Sequence, residues 1–568
     1  MNKKTGRFAI IEQFIADGIT RMFGNPGTVE QGFLDALNDY PEMKYILTLQ
    51  ESIAVLMADG YARATHKPAL VQLHSSPGIG NAVGALYQAK RGHAPLVVIG
   101  GDSGVRYMNM DAQMAGDLVA MMEPVTKYST IVFDHRSLLR TLRRAIKIAS
   151  TPPMGPVYVC LPQDILDMEC VEEIRPTSIP STRVLPDPEL IDQAAKYLLG
   201  SKNPIIYFGD GISYSDAQDE LKTIAELLGA KLYGVDTGDF NIDTTHPLYM
   251  GTTGHMFGSA SLSILKEGDV NLIAGTYMVP EVFPELGEIY NENAKIIHFD
   301  LNGYEIAKNH RVDLGVVSDP KLSLSALLNV LKLKITDDFN KKAHERFINI
   351  KTEKEIKFKN ILENHKKSEN MVPLHMSQFA KVLAKKIPSD TVIFDEALTS
   401  SPDLTTYIPP QLSGSYFSTR GGSLGVGIPG AIGVKTANPE KTVIGFTGDG
   451  GSMYTIQALW SSARHNIGAK FVICNNGSYR LLQLNINQYW KENNIKPHIH
   501  PMCFDLSRPS IDFAALAKSM GVNAVRVEKV NQIESAINIM LSDDRPFLID
   551  LVLEGDIRPE LIGVKCGQ

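Results

Sequence analysis

The chain has 568 residues, enough for about three domains of ordinary size, and its 44% hydrophobic against 21% charged residues support globular cores and exclude a disordered protein. Lys and Arg number 56 and Asp and Glu 63, for a net charge of −7, which lacks the basic footprint that a nucleic acid or an anionic membrane surface would require. The five cysteines, Cys160, Cys170, Cys474, Cys503 and Cys566, are scattered without a C-x-x-C pair, so neither a zinc site nor a disulfide framework is expected and a reducing cytoplasm suits the chain.

The N-terminal stretch begins basic, but Glu12 and Asp17 interrupt it. Its apolar residues Phe8, Ile11, Ile15 and Ile19 recur as on an amphipathic helix rather than as in a signal peptide. No later run reaches transmembrane length. "FGNPGTVE" follows a short strand and puts Asn25, Pro26, Gly27 and Thr28 on a turn. "YILTL" reads as a strand, after which Glu51 opens a helix carrying Ile53, Leu56, Met57 and Tyr61; an acid there favours a helix N-terminus whatever else it does. "ALVQL" leads to a further turn with His74 and Gly78, and "PLVVIG" and "PVYVCLP" are two more strands. This alternation predicts a parallel α/β sheet over residues 1–180, ending near "RPTSIPSTRVLPDPE", where periodicity stops. Residues 185–335 repeat the pattern with "PIIYFGD", "VNLIAG" and "KIIHFDLN". Residues 336–371 form a charged, helix-prone linker that can bury little. The alternation resumes over 372–555, before a tail at 556–568. The predicted class is α/β with three domains, each a parallel sheet with flanking helices.

In the last domain "DEALTSSPD" offers the hydroxyls of Thr399 and Ser400, and "STRGGSLGVGIPGAIGV" sets Leu424 among glycines. "GFTGDGGSMYT" ends an apolar strand on Gly448, Asp449 and Gly450, followed by Gly451 and Ser452. Gly-Asp-Gly alone is a tight turn, and a second copy stands at Gly209, Asp210 and Gly211. The sequels differ. After Gly450 there are 24 residues before "KFVICNN" ends on Asn475 and Asn476, whereas the same step from Gly211 reaches Asp236 with no Asn pair. A strand–helix–strand unit returns Asp449 and Asn476 to one carboxyl edge of a parallel sheet, where such folds bind ligands. A carboxylate, an amide oxygen and a backbone carbonyl are hard donors suited to Mg²⁺ carrying a diphosphate.

With Gly-Asp-Gly, a helix and Asn-Asn in that order, the chain resembles the thiamine diphosphate enzymes along essentially its whole length. It is similar to benzoylformate decarboxylases in "FGNPGTVE" and "QLHSSPGIGNAVGAL", and to acetolactate synthases in "EPVTKYS", "GPVYVCLPQDI" and "KIIHFDLNGYEIAKN". The resemblance implies a thiamine diphosphate-binding fold in the first and last domains, with Mg²⁺ held by Asp449, Asn476 and the carbonyl of Ser478. It implies cofactor contacts from Gly448, Gly450, Gly451, Ser452, Thr399 and Ser400 and from the Asn25, Pro26, Gly27 turn, with Leu424 propping the bent cofactor. Glu51 matches the acid that activates the aminopyrimidine, and Thr28 and His74 match residues beside the substrate.

A homodimer or homotetramer is also implied, because this family takes the domains of Glu51 and Asp449 from different subunits. The expected reaction is decarboxylation of a 2-oxo acid, the product being released as an aldehyde or joined to an aldehyde or a second 2-oxo acid. Each template lacks a signature residue here. "GTYMVPEVFPELG" offers Glu281 where benzoylformate decarboxylases carry a second His, and "DAQMAGD" sets Met114, with Gln113 beside it, where acetolactate synthases carry a Gln. A thiamine-fold protein serving only as a binding subunit is the remote alternative. The resemblance leaves room for FAD or ADP in the central domain, though no G-x-G-x-x-G loop calls for either.

Overall fold

The computed structural model describes residues 4–558 together with Leu561, Ile562, Val564 and Cys566; the remaining positions of the expected tail lie outside the described residues. Eighteen strands form three parallel sheets of six. The first contains β1 (Arg21–Gly24), β2 (Lys44–Leu47), β3 (Ala69–His74), β4 (Leu96–Asp102), β5 (Tyr128–Ile131) and β6 (Val157–Pro162), in the order β2-β1-β3-β4-β6-β5. The second contains β7 (Pro204–Phe208), β8 (Lys231–Gly234), β9 (Tyr249–Thr252), β10 (Val270–Ala274), β11 (Lys295–Asp300) and β12 (Leu314–Val317), in the order β12-β11-β10-β7-β8-β9. The third contains β13 (Val392–Glu396), β14 (Tyr416–Ser418), β15 (Val443–Gly448), β16 (Lys470–Asn475), β17 (Asn523–Val527) and β18 (Phe547–Val552), in the order β14-β13-β15-β16-β18-β17. The inner strands β6, β7 and β10 are buried along their whole length, as strands of a parallel sheet covered on both faces must be.

The first helix, Gly6–Ala16, buries Ala9, Ile10, Ile11 and Phe14, while Phe8 and Ile15 are only half-buried and Ile19 packs from beyond the helix end. The expected apolar stripe is therefore displaced, because this helix packs against both its own sheet and the Leu138–Ser150 helix and so buries a wider face. The charged stretch at 336–371 holds a single 31-residue helix, Asp337–Lys367, capped by the Thr336 side chain. Its first half buries Phe339, Ala343 and Ile350 in the central domain's core, and near its end His365 bonds to Asp403 of the last domain.

Two further joints connect the domains. The Glu51–Thr65 helix crosses the Gly427–Ala437 helix so closely that a Cβ at Gly433 would lie 2.0 Å from the Met57 carbonyl oxygen, and one at Gly60 would lie 2.3 Å from that of Gly430. The second joint uses the other Gly-Asp-Gly copy. The Asp210 carboxylate accepts from the N–H groups of Gly238 at 2.9 Å and Asp239 at 3.1 Å and pairs with Arg420, while Asp239 accepts from Arg63 Nε at 3.0 Å. Arg63, Asp210 and Arg420 come from the first, central and last domains, so this aspartate joins domains.

Candidate functional site

In the third sheet β15 and β16 are parallel neighbours, with Gly448 opposite Cys474, so Asp449 and Asn476 leave the same carboxyl edge. Asp449 is 6% exposed. Its Oδ1 accepts from Gly450 N–H at 2.9 Å and its Oδ2 from Gly477 N–H at 2.6 Å, which clamps the loop after β16 onto the carboxylate. Gly477 turns that loop at φ +67°, and Asn476 Oδ1 accepts from the N–H and hydroxyl of Ser478 at 3.0 and 3.1 Å. Burial pushes the Asp449 carboxyl up to about 6, against the pull of those N–H donors. A buried carboxylate clamped to the loop that carries the Asn476 amide offers the hard oxygen donors that suit a small cation. Among the described residues no three His, Cys, Asp or Glu gather into an alternative metal cage.

The neighbouring candidates divide by environment. Gly450 lies under the Tyr479 ring, which a Cβ would meet at 2.3 Å, and the Ser452 hydroxyl is used inside the turn, donating to the Asp449 carbonyl at 2.8 Å. Gly451 and Gly448 flank the same turn, Gly448 with open space where a Cβ would project. Thr399 and Ser400 are buried on the short Leu398–Ser400 helix after β13, and the Ser400 hydroxyl lies against the Cys474 thiol. Leu424 is half-buried in a loop whose Gly421, Gly422 and Gly425 all have positive φ.

The first domain gathers the other half. Asn25 Nδ2 donates to the Thr48 carbonyl at 2.9 Å, fixing the turn on which Pro26 and Thr28 are exposed. The His74 ring rests on Gly27, where a Cβ would come within 1.9 Å of it, so glycine is required by close approach. His74 Nδ1 is 2.9 Å from Glu30 Oε2, and Glu30 Oε1 accepts from Gly101 N–H at 2.9 Å. Burial raises the Glu30 carboxyl above its usual value, opposed by the His74 ring and by the Gly101 N–H. Ser75, next to His74, is held at φ +40°, a conformation that costs energy for a residue with a side chain. Glu51 is half-buried, accepting at Oε2 from Asn81 Nδ2 at 3.1 Å, and it flanks Gly78 from one side as His74 does from another. Glu51, His74 and the Thr28 turn thus share one edge of the first sheet. Sequence reasoning missed Glu30, whose signal was an acid two residues beyond Thr28.

Within one chain the two halves face apart. Leu47, four residues before Glu51, donates its N–H to His465 Nε2 at 2.9 Å, and His465 precedes β16 at the amino edge of the third sheet. The far end of the Glu51–Thr65 helix reaches the opposite edge, where Arg63 Nη1 bonds the Ser418 carbonyl at 3.0 Å. Fifteen helical residues span roughly 20 Å, and that length separates Glu51 from the edge carrying Asp449. Glu281 is turned inside the central domain, accepting from the Ser261 hydroxyl. Met114, at φ +68°, accepts at its carbonyl from the Ser76 hydroxyl at 2.8 Å, two residues from His74. At the carboxyl edge of the central sheet the cavity lined by Tyr277, His298 and Lys308 is only about 10 Å³.

Three family models match the chain: "Thiamine pyrophosphate enzyme, N-terminal TPP binding domain" over residues 4–121, the central domain over 191–327 and the C-terminal TPP binding domain over 401–551. The chain is 29% identical to benzoylformate decarboxylase of Pseudomonas aeruginosa, covering 96% of this chain and 98% of that one. It is 27% identical to the acetolactate synthase large subunit of Lactococcus lactis, covering 97% and 93%. The thiamine diphosphate-dependent 4-hydroxybenzoylformate decarboxylase of Rhodococcus jostii superposes with a TM-score of 0.83 at 26% identity, covering 98% of this chain and all of that one.

Proposed function

We propose, since this chain belongs to the thiamine pyrophosphate enzyme family, that it is a Mg²⁺-dependent decarboxylase of a 2-oxo acid whose sites are shared between two copies. The observation that carries this reading is the His74–Glu30 pair, packed on Gly27 beside Glu51. When Nδ1–H donates to the Glu30 carboxylate, Nε2 is left to take or give a proton, which is what ending a decarboxylation requires. Asp449, Asn476 and the Ser478 carbonyl would hold Mg²⁺, with the Gly448–Ser452 turn at the diphosphate. Thiamine diphosphate, when bound, supplies the electron sink that lets a 2-oxo acid lose carbon dioxide. Glu51 would hold a proton toward the pyrimidine, and the Thr28 hydroxyl would orient the substrate carboxylate. Because Glu51 and Asp449 of one chain lie at opposite edges of the third sheet, a second copy would bring its own first domain to each Asp449 edge.

The central domain favours a second outcome for the same site. Glu281 is buried and bonded to the Ser261 hydroxyl within its domain where benzoylformate decarboxylases carry a second His, so with that His absent, capture of the product carbon by a second carbonyl competes with protonation. The test is a panel of 2-oxo acids with and without an aldehyde acceptor, products identified by mass. Carbon dioxide release that needs both Mg²⁺ and thiamine diphosphate is expected, with 2-hydroxy ketone at a rate comparable to aldehyde release when acceptor is present. His74→Ala should lower total turnover by about a hundredfold, the scale of a positioned acid or base. No carbon dioxide from any member of the panel would end the decarboxylase reading. Aldehyde alone at high acceptor concentration would end the carboligation reading.

A further inference from the structure

Glu396, the last residue of β13, is 0% exposed and has a carboxylate that the proposed chemistry does not use. Its Oε1 accepts from Gly425 N–H, and its Oε2 accepts from Gly427 N–H at 2.6 Å and from the Thr447 hydroxyl at 2.9 Å. Val426 N–H also faces it. Three consecutive N–H groups at the start of the Gly427–Ala437 helix thus close on one internal carboxylate, the arrangement that helix N-termini offer to bound anions. Burial pushes the carboxyl up to about 7 even against the pull of the N–H and hydroxyl donors.

The location gives the contact its meaning. The segment Gly421–Gly425 has three glycines at positive φ, so its backbone has little conformational preference of its own and needs external holds. Leu424 lies inside it. The holds are Thr419 Oγ1 on the Ser423 carbonyl at 3.0 Å, Thr455 Oγ1 on the Gly425 carbonyl at 2.6 Å, and Glu396 on the N–H side. The same carboxylate touches the other half of the cofactor cradle: Thr447 directly precedes Gly448, and a Cβ at Gly451 would lie 3.2 Å from Glu396 Oε1.

We infer that Glu396 is a positioning residue that locks the Leu424 loop to the Asp449 turn, so that one buried carboxylate sets the distance between the two segments that would hold the cofactor. This rests on the cofactor reading above, and the test separates the two. Glu396→Gln leaves one acceptor oxygen and turns an amide NH₂ toward an N–H, so at least one loop amide loses its partner. Hydrogen exchange of the peptide covering 419–430, measured without cofactor, should quicken by about tenfold, the scale of one buried hydrogen bond. The cofactor concentration for half-saturation, read by fluorescence titration, should rise by about tenfold or more, while kcat at saturating cofactor falls less and far-UV circular dichroism is unchanged. Glu396→Asp, which keeps both oxygens, should recover part of the affinity. Exchange and half-saturation within about twofold of wild type would overturn the inference. If Glu396→Gln does not fold, Thr447→Val, which removes one bond to the same carboxylate, should shift both readouts the same way by less, and wild-type values there would overturn it equally. A wild-type protein that does not bind thiamine diphosphate would sink the cofactor reading, while the exchange measurement would still judge the lock.

Discussion

Asp59 lies wholly inside the joint between the domains, with neither carboxylate oxygen hydrogen-bonded and with Arg63 Nη1 at 3.6 Å and the charge of Arg420 to offset its own. Burial pushes its carboxyl up to about 6, Arg63 opposes the shift, and Asp239 adds to it. A carboxyl whose folded value exceeds its unfolded one contributes stability that is complete below the unfolded value and is lost as pH rises through the folded one, here between about 4 and 6. Asp59→Asn removes the titration while keeping the shape. The variant should therefore be more stable than wild type at about pH 7.5, by on the order of 2–3 kcal/mol, with the difference shrinking toward zero near pH 4. Thermal midpoints of both proteins at the two pH values check it, and an equal difference at both would assign the effect to packing instead. At this scale the sequence was legible where residue type and spacing carry the chemistry: Asp449 and Asn476 were placed at one sheet edge by counting. Glu30 and Glu396 were not legible, because what makes each special is which N–H or ring meets it across tens of residues, and Asp59 was not, because what makes it special is that the packing of other domains seals it from water. Asp59 in particular reads in "MADGYAR" as an ordinary helix acid.

Among elements, the crossing of the Glu51–Thr65 and Gly427–Ala437 helices binds the first domain to the last, and their backbones touch through glycine. Gly433 has an ordinary helical φ, so it is kept for close approach to Met57 and Tyr61 rather than for backbone freedom. Gly433→Val must push apart two main chains that side-chain rotation cannot relieve. It should cost about 1–3 kcal/mol or more as overpacking, and calorimetry should show a lower first transition or a split of one transition into two as the domains uncouple. A melting profile unchanged from wild type would show that the helices can separate without loss. Legibility of strands did not simply follow burial: "YILTL" marked the edge strand β2, which has one buried position, while the fully buried β13 was passed over. β6 and β7 are continuous apolar runs and β10 and β16 are apolar but for Asn271, Lys470 and Asn475, whereas the edge strands β5, β9, β12 and β17 carry exposed or polar positions that the apolar-run criterion passes over. The same limit applied to the Gly6–Ala16 helix, where a 3.6-residue stripe marks one face and cannot show that a second helix buries another.

At the level of the whole molecule, the sequence made three α/β units visible through their repeated alternation, but not how they are oriented, because orientation is fixed by contacts such as Arg63 to Ser418 and Leu47 to His465. Those contacts set Glu51 about one helix length away from the edge that carries Asp449, which makes the pairing of chains a question that mutants can answer. In a dimer whose sites each take Glu51 from one copy and Asp449 from the other, Glu51→Gln and Asp449→Ala homodimers are both inactive. A mixed dimer has one site in which both faults coincide and one site in which both residues are intact. Unfolding the two variants together and refolding them, or co-expressing them with different tags and purifying the doubly tagged species, should therefore restore a measurable share of wild-type turnover. If instead Glu51 and Asp449 of the same chain served one site, every site of the mixed dimer would carry one fault and no activity would return. Absence of activity in doubly tagged protein of normal size and circular dichroism would thus place the whole site in a single chain and overturn the shared arrangement.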